Sequence, residues 1–367
     1  MIASLRNRAS APDGTTMISP TESTSVRPWR SDEPPQRVLI IRFHAVGDVA
    51  ISLASCAAFR RKFPDSQIDF LTMDPTALLA ASLDLFTAVH TFPLCDSKWE
   101  RLRYAIAWAA RLRRYRYQIV LDLQRNWVTR FLRRSAAPTA WAEFDRFSPR
   151  LAGLRTLDTF HRIGFDDLEL DFRVPVRAEA LEAARQTLRS NGWNESMPLV
   201  VLNPAGLWTT RNWPLECYGD FARMWLKDED TTFLLIGTDR LSEKARFLSD
   251  VLGSKVVNLV GRTSLAEANA ILQHVSFVLS EDSGLMHMAW VSGIPTLALF
   301  GSSRHDWSAP LGPHTQCLHS GDLPCAACMS ATCRYGDTHC LTRHTPDTVY
   351  GLARQLMRNC YAKTDRS

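Results

Sequence analysis

Glu281-Asp282-Ser283-Gly284-Leu285-Met286-His287 follows directly on the apolar run Val275-Ser276-Phe277-Val278-Leu279-Ser280. That layout reads as a buried strand, a sharp turn at Gly284, and a helix entered at its N-terminus. A helix start presents unpaired N–H groups and the positive end of the dipole, so it suits a phosphate. Ser283 adds a hydroxyl, and His287 lies about one turn on, able to face the same anion. Two other loops repeat the layout. In Arg42-Phe43-His44-Ala45-Val46-Gly47-Asp48, Gly47 permits a tight turn or a close ligand approach, and Asp48 stands where a helix begins. Asp48 is therefore either an N-cap or a general base at a cleft. A helix start stabilises the carboxylate's charge and weakens it as a base, which burial in a closed cleft would offset. Asn203-Pro204-Ala205-Gly206-Leu207-Trp208-Thr209-Thr210-Arg211-Asn212-Trp213-Pro214 offers a glycine, the hydroxyls of Thr209 and Thr210, and a cation ahead of a proline-started helix. It reads as a diphosphate cradle, with Arg211 in bidentate contact. After the next strand, Ile236-Gly237-Thr238-Asp239 offers Asp239 to a base or ribose.

The elements that must position these loops follow from periodicity. Apolar runs of strand length at 37–42, 67–72, 89–92 and 117–122 alternate with helical patterns ending near 62 and spanning 99–115. A helix-like stretch at 178–190 stops at Asn191-Gly192, and the alternation restarts. Strands follow at 199–203, 232–236, 256–259, 275–279 and 296–300, with helices between them and a last helix at 346–358. Two successive α/β halves with a hinge near 175–198 predict an α/β fold of two Rossmann-like domains facing a central cleft. Ligands of such sheets bind at the carboxyl ends of the strands. The expected division is an arm at 1–35, a first domain at 36–185, a second at 196–345 with a cysteine-rich loop at 324–341, and a terminal helix and tail at 346–367. Neither G-x-G-x-x-G nor G-x-x-x-x-G-K-[ST] occurs, which argues against a standard NAD site or a P-loop.

Composition narrows the classes. The 367 residues suffice for two cores, and 46% hydrophobic with 22% charged residues describes a soluble globular protein. No apolar stretch is long enough to span a bilayer. The first 35 residues are rich in Ser, Thr, Pro and Arg without an apolar h-region. They read as a disordered arm rather than a secretory signal, which points to the cytoplasm. Nine cysteines, an odd count, in a reducing compartment argue against a disulfide framework. Cys325-x2-Cys328-x4-Cys333-x6-Cys340 could wrap one structural tetrahedral zinc or iron; the alternative is a set of reduced, partly buried thiols. The net charge of +5 is uneven, with ten arginines between residues 100 and 134 opposed only by Glu100 and Asp122, and this calls for an anionic partner. Trp99, Tyr104, Trp108 and Tyr115 interleave with those arginines, either to meet an anionic membrane face or to pack on the sheet. No nucleic-acid module is visible, so nucleic acid is not an expected partner. Asp228-Glu229-Asp230 matches the D-x-D of metal-dependent glycosyltransferases formally, but it lies away from the strand carboxyl ends and reads as a solvated loop.

Four of these signals, in order, resemble glycosyltransferase family 9, the heptosyltransferases of lipopolysaccharide core synthesis. They are the strand with its Gly47-Asp48 loop, Arg211-Asn212-Trp213-Pro214, Asp282-Ser283-Gly284-x-x-His287, and Leu297-Ala298-Leu299-Phe300-Gly301. The likeness covers roughly residues 36–358. It implies a GT-B fold and an inverting, metal-independent transfer of heptose from ADP-heptose. Asp48 would take the proton of the acceptor hydroxyl. Thr209, Thr210, Arg211, Asp239, Asp282, Ser283, Gly284 and His287 would hold the donor, although the family often has Lys where Arg211 stands. The resemblance places the acceptor in the N-terminal domain, with Arg60, Arg61, Arg125 and Arg130 meeting an anionic glycolipid such as the lipopolysaccharide inner core at the inner membrane surface. Cysteine-rich tails also occur in the family, holding iron in relatives that glycosylate proteins. Other readings are the same fold acting on protein or another glycan, a nucleotide-sugar 2-epimerase, and a scaffold organised by metal at the cysteines.

Overall fold

The structure, a computed structural model, describes residues 24–364. The first half contains β1 (Val26–Arg27), β2 (Arg37–Ile41), α1 (Val46–Lys62), β3 (Gln67–Met73), α2 (Thr76–Ala81), β4 (Ala88–Phe92), α3 (Lys98–Tyr115), β5 (Ile119–Asp122), α4 (Trp127–Ala136), β6 (Ala140–Glu143) and α5 (Ala152–Arg162). After α6 (Ala178–Ser190) come β7 (Leu199–Asn203), α7 (Leu215–Asp228), β8 (Thr232–Leu235), α8 (Ser242–Leu252), β9 (Val256–Asn258), α9 (Leu265–Leu272), β10 (Phe277–Glu281), α10 (Gly284–Val291), β11 (Thr296–Phe300), α11 (His305–Ser308), β12 (Thr315–His319), α12 (His339–Thr342) and α13 (Pro346–Thr364).

The second sheet runs β12-β11-β10-β7-β8-β9 with every pairing parallel. Its strand order reverses between β7 and β10, so a crevice opens outside the carboxyl ends of those two parallel strands. The first sheet repeats this order as β6-β5-β2-β3-β4, reversing between β2 and β5, and adds β1 antiparallel to β6. The expected pair of Rossmann-like domains is what the chain forms. Its central strands are unbroken apolar runs because helices cover both faces: β7, β10 and β11 are buried along their whole length.

Two helices are buried far beyond one face. In α1 every residue from Val49 to Phe59 is buried, and in α10 every residue from Leu285 to Val291 is. Apolar residues all round a helix require cover on all sides. Here α1 and α10 supply it to each other by packing across the domain boundary, and α2 packs on α9 beside them. The opposite face of the second sheet is closed by α7 and α13 through Trp225, Phe221, Val349 and Leu356.

One expectation needs correction. Within the expected 1–35 arm, residues 24–35 are packed on the first domain: Val26 pairs with Ala142 and Arg27 with Trp141, and Trp29 N–H donates to Ile163 O at 2.7 Å. The rest of the arm lies outside the described residues. α6, which the expected division places in the first domain, packs on α9 of the second half, with a hydrogen bond between His274 Nε2 and Leu181 O of 3.1 Å.

Trp225 is wholly buried, donates from Nε1 to Thr231 Oγ1 at 3.1 Å and stacks near Phe277. Trp225→Ala should lower the stability of the second domain by about 3–5 kcal/mol, read as an earlier denaturant midpoint.

Candidate active site

The reversal point of the second sheet places Asn203, the last residue of β7, against the end of β10. Its Nδ2 donates to Ser280 Oγ and to Ser283 Oγ, each at 2.8 Å. Ser283 is the N-cap of α10, accepting Met286 N–H at 3.2 Å. Ser280 directs its own proton to Glu281 O at 2.6 Å, which leaves the Ser283 hydroxyl to donate in the 3.3 Å contact between the two serine oxygens or to a ligand at the helix start. One turn on, Trp290 Nε1–H donates to His287 Nδ1 at 3.0 Å. That bond holds the imidazole as the tautomer with its proton on Nε2. Burial pushes the His287 pKa below its usual value, against the raising influence of Asp282 and Asp48, and so favours the same neutral form. Nε2 lies 4.0 Å from Asp282 Oδ1.

A residue that sequence reading passed over organises the neighbouring loop. Glu281 ends β10 and is buried; its Oε2 accepts Gly206 N–H and its Oε1 accepts Trp213 N–H, both at 2.6 Å. Its signal in the sequence is a carboxylate directly after an apolar run, beyond the expected strand end at Leu279. Lys244 Nζ closes the loop's other side by donating to Pro204 O and Asn212 Oδ1, each at 2.7 Å. Burial pushes the Glu281 carboxyl up to about 7 despite Lys244 and the two N–H donors. Gly206 lies so close under the Arg211 carbonyl that a Cβ there has no room.

The loop also carries Arg211. Its guanidinium stacks 4.1 Å over the Trp208 ring and reaches Asp282 Oδ2 at 3.5 Å. Thr209 and Thr210 behave differently from the expected diphosphate donors. Thr209 Oγ1 donates to Ala331 O at 3.1 Å, and Thr210 Oγ1 donates to Ser330 O at 2.6 Å while meeting Ser302 Oγ at 2.9 Å. Both hydroxyls anchor the cysteine-rich segment. Asp239 lies exposed just beyond the carboxyl end of β8, against Gly261.

Across the boundary, the start of α1 meets the start of α10. A Cβ on Gly47 would stand 2.8 Å from His287 Cδ2, and one on Gly284 would stand 3.0 Å from Val46 Cγ1. Asp48, in the first turn of α1, accepts Arg42 Nη2 at 2.8 Å and Ala45 N–H at 3.2 Å. Both contacts use Oδ2, and Oδ1 remains available to an incoming hydroxyl. The Asp48 side chain is 42% exposed, so the burial expected to strengthen it as a base is not present in this conformation. Arg42 and Arg155 both lie over the Phe144 ring, and the charge of Asp48 acts on Arg155. These two arginines form the basic floor beside Asp48.

The four arginines expected to meet the acceptor are engaged elsewhere. Arg60 and Arg61 sit twelve and thirteen residues along α1 from Asp48, which at 1.5 Å per residue is about 18 Å away. Arg60 donates to the carbonyls of Leu85, Pro64 and Ser66, and Arg61 pairs with Asp171. Arg125 and Arg130 converge with Arg133 on buried Glu143, at 3.7, 3.3 and 2.5 Å. They brace the end of β6 rather than line the cleft.

Cys325, Cys328, Cys333 and Cys340 line one cavity of about 490 Å³ with Thr210, Ser302 and Tyr335. Among the described residues no group of three or more His, Cys, Asp or Glu side chains converges to hold a metal ion. The expected tetrahedral site is therefore not formed by this arrangement of thiols. Asp228, Glu229 and Asp230 pair with Tyr350, Arg354 and Lys255 on the outer surface, as befits a solvated loop.

The buried carboxyl of Glu281 makes a pH prediction. Its folded pKa stands above its unfolded value, so its contribution is fully present at about pH 4 and is lost as pH rises through about 7. Unfolding midpoints measured from pH 4 to 8 should show this component in the native chain and lack it in Glu281→Gln. The variant should also bind nucleotide more weakly, because an amide offers only one acceptor atom to the Gly206 and Trp213 N–H groups.

Residues 105–339 match the profile of glycosyltransferase family 9 (heptosyltransferase). The chain is 24% identical over 348 residues to lipopolysaccharide heptosyltransferase 1 of Pseudomonas aeruginosa, spanning 85% of this chain and 96% of that one. Its fold is similar to that of a family 9 glycosyl transferase from Veillonella parvula, with a TM-score of 0.74, 17% identity and coverage of 88% and 97%. It is also similar to the E. coli heptosyltransferase WaaC with ADP-2-deoxy-2-fluoro heptose, with a TM-score of 0.62, 20% identity and coverage of 87% and 99%. With more than half of its length matched and both sheets in the GT-B arrangement, the chain belongs to glycosyltransferase family 9 and is a transferase.

Proposed function

We propose that this enzyme moves a heptose from ADP-heptose to a hydroxyl of an anionic glycolipid, the lipopolysaccharide inner core, with inversion at the anomeric carbon. The observation that carries the reading is the meeting of the α1 and α10 starts. It sets the Asp48 carboxylate on one side and the Ser283 hydroxyl, helix N–H groups and His287 Nε2–H on the other. The relatives' heptosyl chemistry and the sugar nucleotide named with the E. coli enzyme support the donor.

The chemistry then follows. Asp48 accepts the proton of the acceptor hydroxyl, whose oxygen attacks the anomeric carbon. The bond from that carbon to the diphosphate breaks, and ADP leaves with its electron pair. Negative charge grows on the departing phosphate, where prepositioned donors stabilise the transition state more than the ground state. Arg211 and the neutral His287 donor are those groups. Attack from the Asp48 side, opposite the diphosphate, inverts the centre. Arg42 and Arg155 supply positive charge toward a phosphorylated acceptor. An acceptor of this kind is lipid-borne, so the enzyme works peripherally at the cytoplasmic membrane face.

Asp48→Asn should lower kcat by about 10²–10⁴ while leaving the ADP affinity measured by calorimetry unchanged. Arg211→Ala should weaken ADP binding by roughly 10–100-fold through loss of a charge-assisted contact. Selective binding of UDP or GDP in the same titrations would refute the donor, and equal turnover by Asp48→Asn would remove the base.

A further inference from the structure

The helix pair α3–α4 packs its inner faces together on the first sheet through Ala105, Trp108, Ala109 and Leu112 of α3 and Val128, Leu132 and Ala136 of α4. The outer faces carry residues that an ordinary solvated helix does not. On α3, Trp99, Arg103, Ile106, Ala110 and Arg113 recur at helical spacing along one exposed stripe. On α4, Trp127, Phe131 and Arg134 do the same. Trp99 is 78% exposed, Ile106 55%, Trp127 50% and Phe131 38%. Single exposed apolar residues need no explanation, but four on one helix pair form a patch.

The charge on this face is dense and of one sign. Some exposed arginines elsewhere stand against acids, Arg150 with Asp158, Arg189 with Glu195 and Arg304 with Asp306, while others, such as Arg240, Arg246 and Arg262, carry no ion pair among the described residues. Among the described residues no ion pair engages Arg101, Arg103, Arg113, Arg114 or Arg134. The one acid on α3, Glu100, is turned to its own helix start, accepting Asp96 N–H at 3.2 Å. Large apolar side chains interleaved with unopposed guanidiniums are the surface that lies on an anionic interface, rings at headgroup depth and cations among the phosphates. Among the described residues no helix is long and apolar enough to cross a membrane, so attachment through this face would be superficial.

Position ties the face to the site. Both helices start at the carboxyl ends of their strands, α3 after β4 and α4 after β5, the same sheet edge that bears Asp48. Trp99 and Trp127 are thus first-turn residues on the cleft side, and Arg101 is near enough to lower the pKa of His44 in the Asp48 loop.

We propose that the α3–α4 face seats the enzyme on a bilayer bearing anionic headgroups, with Trp99, Ile106, Trp127 and Phe131 inserted and the flanking arginines on the phosphates. The inference deepens the proposed reading by naming how a lipid-borne acceptor reaches Asp48, and its test does not require turnover. The full-length chain is sedimented with vesicles of phosphatidylcholine alone or with phosphatidylglycerol added. Binding should need the anionic lipid and weaken as salt rises. Trp99→Ser/Ile106→Ser/Phe131→Ser should cut the bound fraction's partition coefficient about tenfold or more, and Arg103→Glu/Arg113→Glu/Arg114→Glu should abolish it. Both variants should keep the native ADP affinity and native turnover on a deacylated, water-soluble acceptor. Equal sedimentation of native and variant chains would overturn the assignment. So would a native dimer that the serine variant splits, since a second copy would then cover the face. A native chain that binds these vesicles but no ADP would refute the donor reading and leave the docking surface standing.

Discussion

The contact between the starts of α1 and α10 is what the rest of the molecule serves. Two glycines, Gly47 and Gly284, let the helix ends approach until only van der Waals space separates backbone from the His287 ring and the Val46 side chain. A methyl at Gly47 would overlap a buried ring that Trp290 holds in place, so the ring could not yield cheaply. The closeness brings two helix dipoles, pointing the same sign, to one place between two domains. The carboxylates of Asp48, in the first turn of α1, and Asp282, just before α10, offset that positive potential. The burial of α1 and α10 on all sides supplies the apolar stabilisation that holds the contact together.

Buried charge is used inside the second domain for shape rather than reaction. Glu281 is aimed at backbone N–H groups, and Lys244 at a carbonyl and an amide oxygen, so each charge is matched to polar groups of the 204–213 loop. An isolated buried carboxylate is costly, but one that accepts two backbone N–H bonds recovers much of that cost and leaves the loop a single conformation. Arg211 inherits its position from this framework. The same logic explains the first domain, where Arg125, Arg130 and Arg133 gather around Glu143 at the end of β6.

Much of this was legible in the sequence because both sheets are built from apolar runs bounded by turns. Strands β2, β3, β7, β8 and β11 fall where periodicity put them, and the loops after β2, β7 and β10 do converge. What periodicity could not see was the pairing that gives short elements their place. β6 is four residues long, and β1 exists only because β6 offers it an edge. Side-chain roles were harder still. Arginines at 60, 61, 125 and 130 look alike in a sequence, and only the fold separates those bonded to internal carbonyls and carboxylates from those left facing outward on α3. Asp48, Arg211, Ser283 and His287 each follow a strand by a few residues, and doubly wound topology brings such positions to one edge, so their proximity was legible.

Spacing and family resemblance left the cysteine-rich segment as either a metal site or a set of reduced thiols, and its clearest physical connection is to the Arg211 loop. Thr209 and Thr210 bind its backbone at Ala331 and Ser330, and Arg211 reaches Met329 Sδ at 3.7 Å. Met329 N–H in turn donates to Ser302 O at 2.8 Å, so the segment, the turn after β11 and the Arg211 loop form one hydrogen-bonded unit. The rigidity of Arg211 thus depends on residues more than a hundred positions later in the chain. Glu281 holds the loop from beneath, and the cysteine-rich segment holds it from the side. A change in that segment would reach Arg211 through these hydrogen bonds, across more than a hundred positions of sequence.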